Sequence, residues 1–241
     1  MRVGIFGRGR LGRAIAQEID AAGDLDLAWQ VGQGETPGAT VDVVLAASRA
    51  EAVEAHLDWA LARGCDLVIG TTGWAIPDLA ARVGDRIGVL VAPNFSLGVA
   101  LMTRLSCVLG RFAALDAELD PYILEHHHRA KADAPSGTAL RLARAVMEGC
   151  PRMTGWALSP LAPQDLSVGV IRAGAEFGLH TVGLDGPAET LTLTHQARSR
   201  AVFGRGALRA ARWIRGRKGL HSFDDLAQEL LDPLFAPGVS R

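Results

Sequence analysis

Short apolar runs alternate with amphipathic segments through the first part of the chain. Residues 3–6 form an apolar run that predicts a buried strand, and Leu11, Ile15 and Ile19 then recur at the spacing of one helix face. Strands that alternate with helices predict a parallel sheet. The loop 32–40 contains glycine and proline and is too short to hold a crossover helix. Further strands are predicted at 25–31, 41–46, 66–69 and 88–91, and helices at 51–63 and 77–83.

A glycine turn joins the first strand to the first helix. Its pattern is Gly-x-Gly-x-x-Gly, and a strand before it and a helix after it are the setting in which this motif binds a dinucleotide. The glycines permit a tight turn and the close approach of a pyrophosphate to the helix N-terminus, although an ordinary tight turn has the same pattern. The candidate cofactor-binding residues here are Gly7, Arg8, Gly9, Arg10, Leu11 and Gly12.

Two further turns follow predicted strands of the same sheet. Ligands of open α/β sheets bind at the carboxyl ends of the strands, so both turns are candidate cofactor contacts. Each of them taken alone is equally compatible with a plain strand-to-helix turn. The residues concerned are Gly70, Thr71 and Thr72 in the first turn, and Ala92, Pro93, Asn94 and Phe95 in the second.

The pattern changes after residue 96. A second group of elements is predicted there, followed by tail helices that we expect to return to the first domain. The fold class is therefore α/β: a Rossmann-type dinucleotide-binding domain of residues 1–96 with 200–241, and an inserted mixed α+β domain of residues 97–199. The predicted elements are helices at 97–115, from 138, at 206–215 and at 223–231, strands at 120–124, 167–173, 179–184 and 190–196, and a Pro-rich stretch at 150–163.

The segment 125–138 concentrates the candidate chemistry. It reads Glu-His-His-His-Arg-Ala-Lys-Ala-Asp-Ala-Pro-Ser-Gly-Thr, and Ser136 is a suitable N-cap for the helix that follows. The backbone N–H groups of Gly137 and Thr138 would then point at an anion. Histidine and lysine side chains can donate a proton near neutral pH or neutralise a carboxylate. The segment therefore predicts a pocket for a small anionic substrate with an acid catalyst beside it.

Adjacent histidines also raise the possibility of a metal site. Ligands on one strand must alternate to share a face, and no cysteine or second carboxylate is suitably spaced, so no metal is predicted. His126 is interpreted as a bystander, and structural or surface roles are preferred for His180 and the other single histidines.

The same segment resembles dihydrodipicolinate reductases. Their pattern Glu-x-His-His-Arg-x-Lys-x-Asp-Ala-Pro-Ser-Gly-Thr-Ala is matched at every fixed position from Glu125 onward. The resemblance implies that His127 is the general acid and base, that His128 binds substrate, and that Lys131 is a proton donor or carboxylate partner. It also implies that Gly137 and Thr138 hold a substrate carboxylate.

The resemblance carries a function and an assembly with it. It implies NADH- or NADPH-dependent reduction of 4-hydroxy-tetrahydrodipicolinate to tetrahydrodipicolinate in lysine and diaminopimelate biosynthesis. It makes residues 97–199 a substrate-binding and tetramerisation domain, so a homotetramer is expected. Two alternatives stay open: another nicotinamide-dependent reductase of a small amino or imino dicarboxylate, similar to aspartate dehydrogenase, and a non-catalytic dinucleotide sensor.

The chain departs from that family at several positions. The glycine turn is one residue shorter than usual, residues 46–48 read Ala-Ala-Ser in place of Asp-Phe-Thr, and Leu179 replaces a glutamate. Gly32 and Gln33 follow the second strand, where an acid would hydrogen-bond the adenosine ribose and repel a 2′-phosphate. With no acid there, we expect both cofactors to be used.

Composition narrows the setting. The chain has 241 residues, of which 49% are hydrophobic, and a formal net charge of −1, which argues against a nucleic-acid partner. It contains no apolar run of roughly 18 residues and no expected signal peptide, so no membrane association is expected. Cys65, Cys107 and Cys150 have no metal-like spacing and are interpreted as reduced thiols of a cytoplasmic protein.

Overall fold

The computed structural model describes residues 1–159 and 162–236, which form two compact units. The first consists of Met1–Ser96 together with the chain from Arg200 onward, and the second of Leu97–Ser199. The strands are β1 (Arg2–Phe6), β2 (Asp26–Val31), β3 (Val43–Ala46), β4 (Asp66–Ile69), β5 (Gly88–Val91), β6 (Asp120–His127), β7 (Gly155–Ala157), β8 (Asp165–Arg172), β9 (Leu179–Asp185), β10 (Thr190–Gln196) and β11 (Gly219–Ser222). The helices are α1 (Arg10–Ala21), α2 (Val53–Arg63), α3 (Leu79–Val83), α4 (Leu97–Ala113), α5 (Gly137–Gly149), α6 (Ala201–Ile214) and α7 (Phe223–Phe235).

The first unit is built on a six-stranded parallel sheet in the order β11-β5-β4-β3-β1-β2. Every residue of β3 and β4 is buried, as expected for strands covered on both faces. Successive side chains of β4 point to opposite faces of the sheet. Val68 packs with residues of α1 and α6, whereas Leu67 and Ile69 pack with residues of α2. The predicted absence of a helix between β2 and β3 is confirmed by the described residues of that stretch.

The second unit contains a five-stranded mixed sheet in the order β10-β9-β6-β8-β7. Its central strand, β6, is antiparallel to β9 and parallel to β8. Helices α4 and α5 pack together and contribute to the core of this unit, where a Cβ on Gly110 would overlap the carbonyl oxygen of Val146. This close packing holds α5 against α4, and the start of α5 carries part of the candidate site.

Several predicted boundaries were wrong. Strand β6 continues to His127 instead of ending at residue 124, because both of its neighbours keep pairing with it. Strand β7 lies within the Pro-rich stretch 150–163, where no strand was predicted, and β11 lies in the tail, where helices were predicted. Helix α6 begins at Ala201, before the predicted residue 206, and α7 extends past the predicted residue 231. Residues 160–161 and 237–241, which belong to predicted segments, lie outside the described residues.

Two further predictions concern the cysteines and membrane-spanning segments. Cys65, Cys107 and Cys150 are all free thiols, as predicted. Within the parts of the chain that the structure describes, none of the helices combines the length and apolar character that crossing a membrane requires.

Candidate active site

The glycine turn brings backbone close to backbone in the first unit. Gly7 has a φ of +123°, and a Cβ there would overlap the carbonyl oxygen of Ala47. A Cβ on Gly12 would overlap the carbonyl oxygen of Gly7, whereas a Cβ on Gly9, the N-cap of α1, would meet only open space. The first turn of α1 contains no acidic residue. An exposed helix N-terminus with free space beside it fits a dinucleotide pyrophosphate.

The other two predicted turns converge on Gly70. A Cβ on Gly70 would overlap the ring of Phe95 and would lie 3.2 Å from Leu11 Cδ2, so residues from all three turns meet there. Thr71 is buried, and its hydroxyl accepts a hydrogen bond from the Ser48 N–H at 3.0 Å. Three predicted cofactor segments therefore lie together at the carboxyl edge of the parallel sheet, where such sheets bind ligands.

The remaining residues of these turns fall into exposed and structural positions. Arg8, Arg10, Thr72 and Pro93 are exposed, and Ala92 is buried. The Asn94 side chain accepts a hydrogen bond from the Ser96 N–H at 2.8 Å, which stabilises its turn. The exposed residues are accessible to a ligand, whereas Ala92 and Phe95 are buried within the turn.

The second unit contains a buried carboxylate, Glu125, that is 0% exposed. Its Oε1 accepts hydrogen bonds from Arg172 Nη2 at 2.7 Å and from the Ser136 N–H at 2.9 Å. Its Oε2 lies 3.3 Å from His127 Nδ1 and 3.6 Å from His180 Nε2. Burial alone would raise the pKa of Glu125, but these donors together hold that pKa well below its ordinary value. Glu125 is therefore an anion at the centre of this network.

His180 belongs to this cluster, although the sequence favoured a structural or surface role for it. It is directly opposite Glu125 in the β6–β9 register, and its ring meets that of His127 at 5.0 Å and 74°. Burial lowers the pKa of His180, against the opposing pull of Glu125. The roles of Glu125 and Arg172 were also missed. The available signal was the two-residue spacing of Glu125 and His127, which places both on one strand face.

The start of α5 has the predicted Ser136 cap, and an acidic side chain, Asp133, lies beside Lys131. Ser136 is the N-cap, and its Oγ accepts a hydrogen bond from the Ala139 N–H at 3.1 Å. Lys131 Nζ lies 2.6 Å from Asp133 Oδ1, and the Asp133 carboxylate also accepts a backbone hydrogen bond from Gly137. Burial opposes ionisation, but Lys131 and these backbone donors keep the pKa of Asp133 below its ordinary value. The Asp133 carboxylate of the chain itself thus binds two groups that were predicted to bind a substrate carboxylate.

The other predicted residues of the segment flank this cluster. His128 is half-buried, and its N–H donates to the Glu176 carbonyl at 2.8 Å. Thr138 is half-buried as the second residue of α5. His126 Nε2 lies 3.0 Å from the Ala173 carbonyl oxygen, on the opposite face of β6 from His127.

The cluster also bears on the metal alternative. Glu125, His127 and His180 each offer a donor atom, and these atoms lie within 4.8 Å of one another. The same Glu125 carboxylate already binds the Arg172 guanidinium at 2.7 Å, and that positive charge would repel a divalent cation. We therefore interpret the cluster as an acid–base network centred on the Glu125 carboxylate.

A parallel sheet with a glycine turn, followed by a separate sheet with a buried histidine–carboxylate pair, defines a Rossmann-type oxidoreductase. The particular family follows from comparison. Models of the dihydrodipicolinate reductase N-terminus and C-terminus match residues 1–95 and 98–227, and the chain belongs to this family. The resemblance of segment 125–138 is thereby extended to nearly the whole chain.

Two curated relatives are called 4-hydroxy-tetrahydrodipicolinate reductase. The protein from Magnetococcus marinus is 40% identical over 210 residues, which cover 81% of this chain and 76% of the relative. The protein from Gluconacetobacter diazotrophicus is 36% identical over 251 residues, which cover 94% of this chain and 96% of the relative.

Solved structures support the fold. A dipicolinate-bound dihydrodipicolinate reductase from Paenisporosarcina sp. TG-14 matches with a TM-score of 0.76 at 22% identity, covering 94% of this chain and 99% of that one. An engineered D-amino acid dehydrogenase bound to NADP+ matches with a TM-score of 0.53 at 17% identity, covering 99% of both chains. The predicted fold class is confirmed.

Proposed function

We propose that this chain reduces 4-hydroxy-tetrahydrodipicolinate to tetrahydrodipicolinate with NADH or NADPH, in lysine and diaminopimelate biosynthesis. Family membership and the names of the curated relatives support the reaction. The structural observation that carries it is the buried pair of Glu125 and His127, because it supplies an oriented proton donor next to the anion-binding start of α5.

The reaction balances with one proton. The substrate, the reduced cofactor and a proton give the product, the oxidised cofactor and water. The nicotinamide, when bound, supplies a hydride. His127 holds the proton that the departing hydroxyl needs to leave as water, and Glu125 keeps the imidazole oriented. Lys131 and the N–H groups at the start of α5 bind a carboxylate of the small dicarboxylate substrate.

The three turns at the carboxyl edge of the parallel sheet would hold the dinucleotide. Gly9 and the N-terminus of α1 receive the pyrophosphate, and the turns at Gly70 and Asn94 lie on the nicotinamide side. Residues 46–48, which differ from the family pattern, remain joined to this edge through the Ser48–Thr71 hydrogen bond. A sensor would need this edge as well; what argues for a catalytic enzyme is the set of His127, Lys131 and Thr138 in the second unit, for which dinucleotide binding alone has no use.

The assembly and setting belong to the same proposal. We propose a cytoplasmic homotetramer formed through the sheet of the second unit, on which Ile171 and Leu191 are 41% and 46% exposed. Apolar residues on a sheet surface favour association with another copy. Sedimentation analysis of the purified protein checks the oligomeric state.

A coupled assay with freshly made substrate and each cofactor in turn tests the reaction. His127→Ala should lower kcat by about 10²–10⁴-fold while cofactor affinity barely changes. Wild-type turnover from His127→Ala would contradict the catalytic assignment. Activity with a simpler amino or imino dicarboxylate in place of this substrate would favour the aspartate dehydrogenase-like alternative. Cofactor binding with no turnover of either substrate would favour the sensor.

A further inference from the structure

The turn after β2 returns a carboxylate to the end of that strand. Glu35 Oε2 accepts hydrogen bonds from the Gly32 N–H at 2.8 Å and from Arg8 Nε at 3.0 Å, and it lies 2.9 Å from Arg8 Nη2. Gly34 has a φ of +79°, which lets the chain reverse direction between Gly32 and Glu35. The hydrogen bond from the Gly32 N–H, and to a smaller extent the hydrogen bond from Arg8, lowers the pKa of Glu35.

This carboxylate lies at a strand end where the directly following residues are not acidic. In Rossmann-type sheets an acid near the end of the second strand hydrogen-bonds the adenosine ribose 2′-hydroxyl. Gly32 and Gln33 directly follow β2 and are not acidic, but Glu35 reaches the same strand end through space. The missing acid is therefore supplied three residues further along the chain.

Arg8 links this carboxylate to the glycine turn. A Cβ on Gly32 would lie 3.5 Å from Arg8 Cδ, so the arginine stem extends across the end of β2. An arginine at this place is a suitable partner for the 2′-phosphate of NADPH, because its guanidinium can bind phosphate with two hydrogen bonds. In this structure the guanidinium is directed at Glu35 through Nε and Nη2 instead.

We propose that Glu35 and Arg8 form a specificity latch for the adenosine ribose and that the chain prefers NADH to NADPH. The Glu35 carboxylate accepts a hydrogen bond from a free 2′-hydroxyl and repels a 2′-phosphate. It also holds the guanidinium that would otherwise neutralise that phosphate. This inference rests on the proposed use of a nicotinamide cofactor and adds the choice between the two forms.

The latch gives a preference of limited size. The Arg8 and Glu35 side chains are 57% and 46% exposed, and an ion pair this exposed is weakened by water and salt. A 2′-phosphate can therefore open the pair at a modest cost. We expect wild-type protein to bind NADH about tenfold more tightly than NADPH, with both cofactors still usable.

Fluorescence titration of the full chain with NADH and with NADPH tests the latch without requiring turnover. Glu35→Gln removes the negative charge and frees Arg8, so NADPH affinity should rise at least about tenfold while NADH affinity falls a few-fold. Adding Arg8→Ala to Glu35→Gln should abolish most of the NADPH gain. The matched control is Glu229→Gln, since Glu229 pairs with Arg217 at 3.1 Å with comparable exposure in the first unit.

The outcomes separate the latch from the proposed reaction. An NADPH-to-NADH affinity ratio that changes less than twofold in Glu35→Gln, or that changes equally in Glu229→Gln, overturns the latch even if the enzyme is active. A shifted ratio in a protein that reduces no dicarboxylate supports the latch and overturns the proposed reaction. Failure of the wild type to bind either dinucleotide overturns both.

Discussion

Glu125 Oε2 and His127 Nδ1 lie 3.3 Å apart on one face of β6, and neither side chain is more than 8% exposed. A carboxylate beside Nδ1 favours the tautomer that carries its proton there, which leaves Nε2 as the exchanging atom. That Nε2 atom faces the backbone of Gly178, where a Cβ would approach it to 3.1 Å. The imidazole is therefore oriented from one side and given room on the other.

Removal of the Glu125 charge should impair turnover more than substrate binding. Glu125→Gln keeps the side-chain shape, but it no longer places a carboxylate beside Nδ1 to orient the imidazole, so we expect kcat to fall about 10–100-fold. It also removes the buried counter-charge of Arg172, while the amide oxygen and the Asp133 carbonyl can still accept its hydrogen bonds, so stability should fall by about 1–3 kcal/mol. Steady-state kinetics below the unfolding temperature measure the first effect, and urea unfolding measures the second.

A neighbouring histidine provides the control for this variant. His126→Gln changes the adjacent residue of β6, whose ring lies on the opposite face near the Ala173 carbonyl. It should retain kcat within about twofold. Equal kcat in Glu125→Gln and wild type would show that His127 needs no partner on β6.

The space at Gly178 should be as important as the partner at Glu125. Gly178→Ala places a methyl group 3.1 Å from His127 Nε2, and it must also adopt a φ of +155°. At 3.1 Å the imidazole must move by a few tenths of an ångström. Because a misplacement of about 1 Å can cost about 10²-fold in rate, we expect this smaller shift to lower kcat about tenfold. Gly174→Ala is the matched control, because its φ is +60° and its Cβ would meet only open space. If the two variants lose kcat equally, backbone strain and not crowding of His127 is the cause.

The parallel sheet was predictable because its strands are continuous apolar runs that end in turns. The observed bounds of β4 and β5 coincide with the predicted ones: β4 starts at Asp66 and ends before Gly70, and β5 starts at Gly88. Strands β7 and β11 could not be found in this way. They have three and four residues, and each exists because a neighbouring strand, β8 for β7 and β5 for β11, offers it hydrogen bonds.

The candidate site likewise contains residues that could be predicted from the sequence and residues that could not. The residues of segment 125–138 lie close in sequence, so their pattern could be recognised directly. His180 and Arg172 reach Glu125 only through the pairing of β9 and β8 with β6, and nothing local specifies that register. Glu35 was missed because only the residues directly after β2 were considered. The turn brings Glu35 back to Gly32, three residues earlier in the chain.

The contact between Lys131 and Asp133 should compete with substrate. Asp133 engages Lys131 Nζ and the Gly137 N–H, two donors proposed to bind a substrate carboxylate. Asp133→Asn weakens that competition, and because the Asp133 side chain is 55% exposed the effect should be small, with KM falling about two- to fivefold. Lys131→Ala should instead raise KM. A higher KM in Asp133→Asn would mean that Asp133 positions Lys131 for the substrate.

Thr138→Pro tests the other half of the same anion site. Proline removes the N–H at the second position of α5, so a substrate carboxylate loses one donor and KM should rise about fivefold or more. The Ser136 cap bonds the Ala139 N–H and is retained, so the helix start should remain intact in circular dichroism. An unchanged KM in both Thr138→Pro and Lys131→Ala would place the substrate carboxylate elsewhere.

His56 should make the first unit sensitive to mild acid. Its ring stacks on Phe6 at 4.0 Å, and burial lowers its pKa from 6.5 to about 4. Between those values the folded state keeps His56 neutral while the unfolded state binds a proton. Stability is therefore fully present above pH 6.5 and is lost as the pH falls toward 4, by at most about 1.4 kcal/mol per pH unit.

His56→Phe keeps an aromatic ring against Phe6 and removes the titration. Wild-type protein should lose about 1–2 kcal/mol more stability than His56→Phe between pH 7 and pH 5, as measured by urea unfolding at both values. Any packing change caused by phenylalanine affects both pH values and cancels in the difference. His180 and His195, whose pKa values are also lowered by burial, are present in both proteins and cancel as well. Equal losses in the two proteins would mean that the folded state accommodates a charged imidazole at position 56.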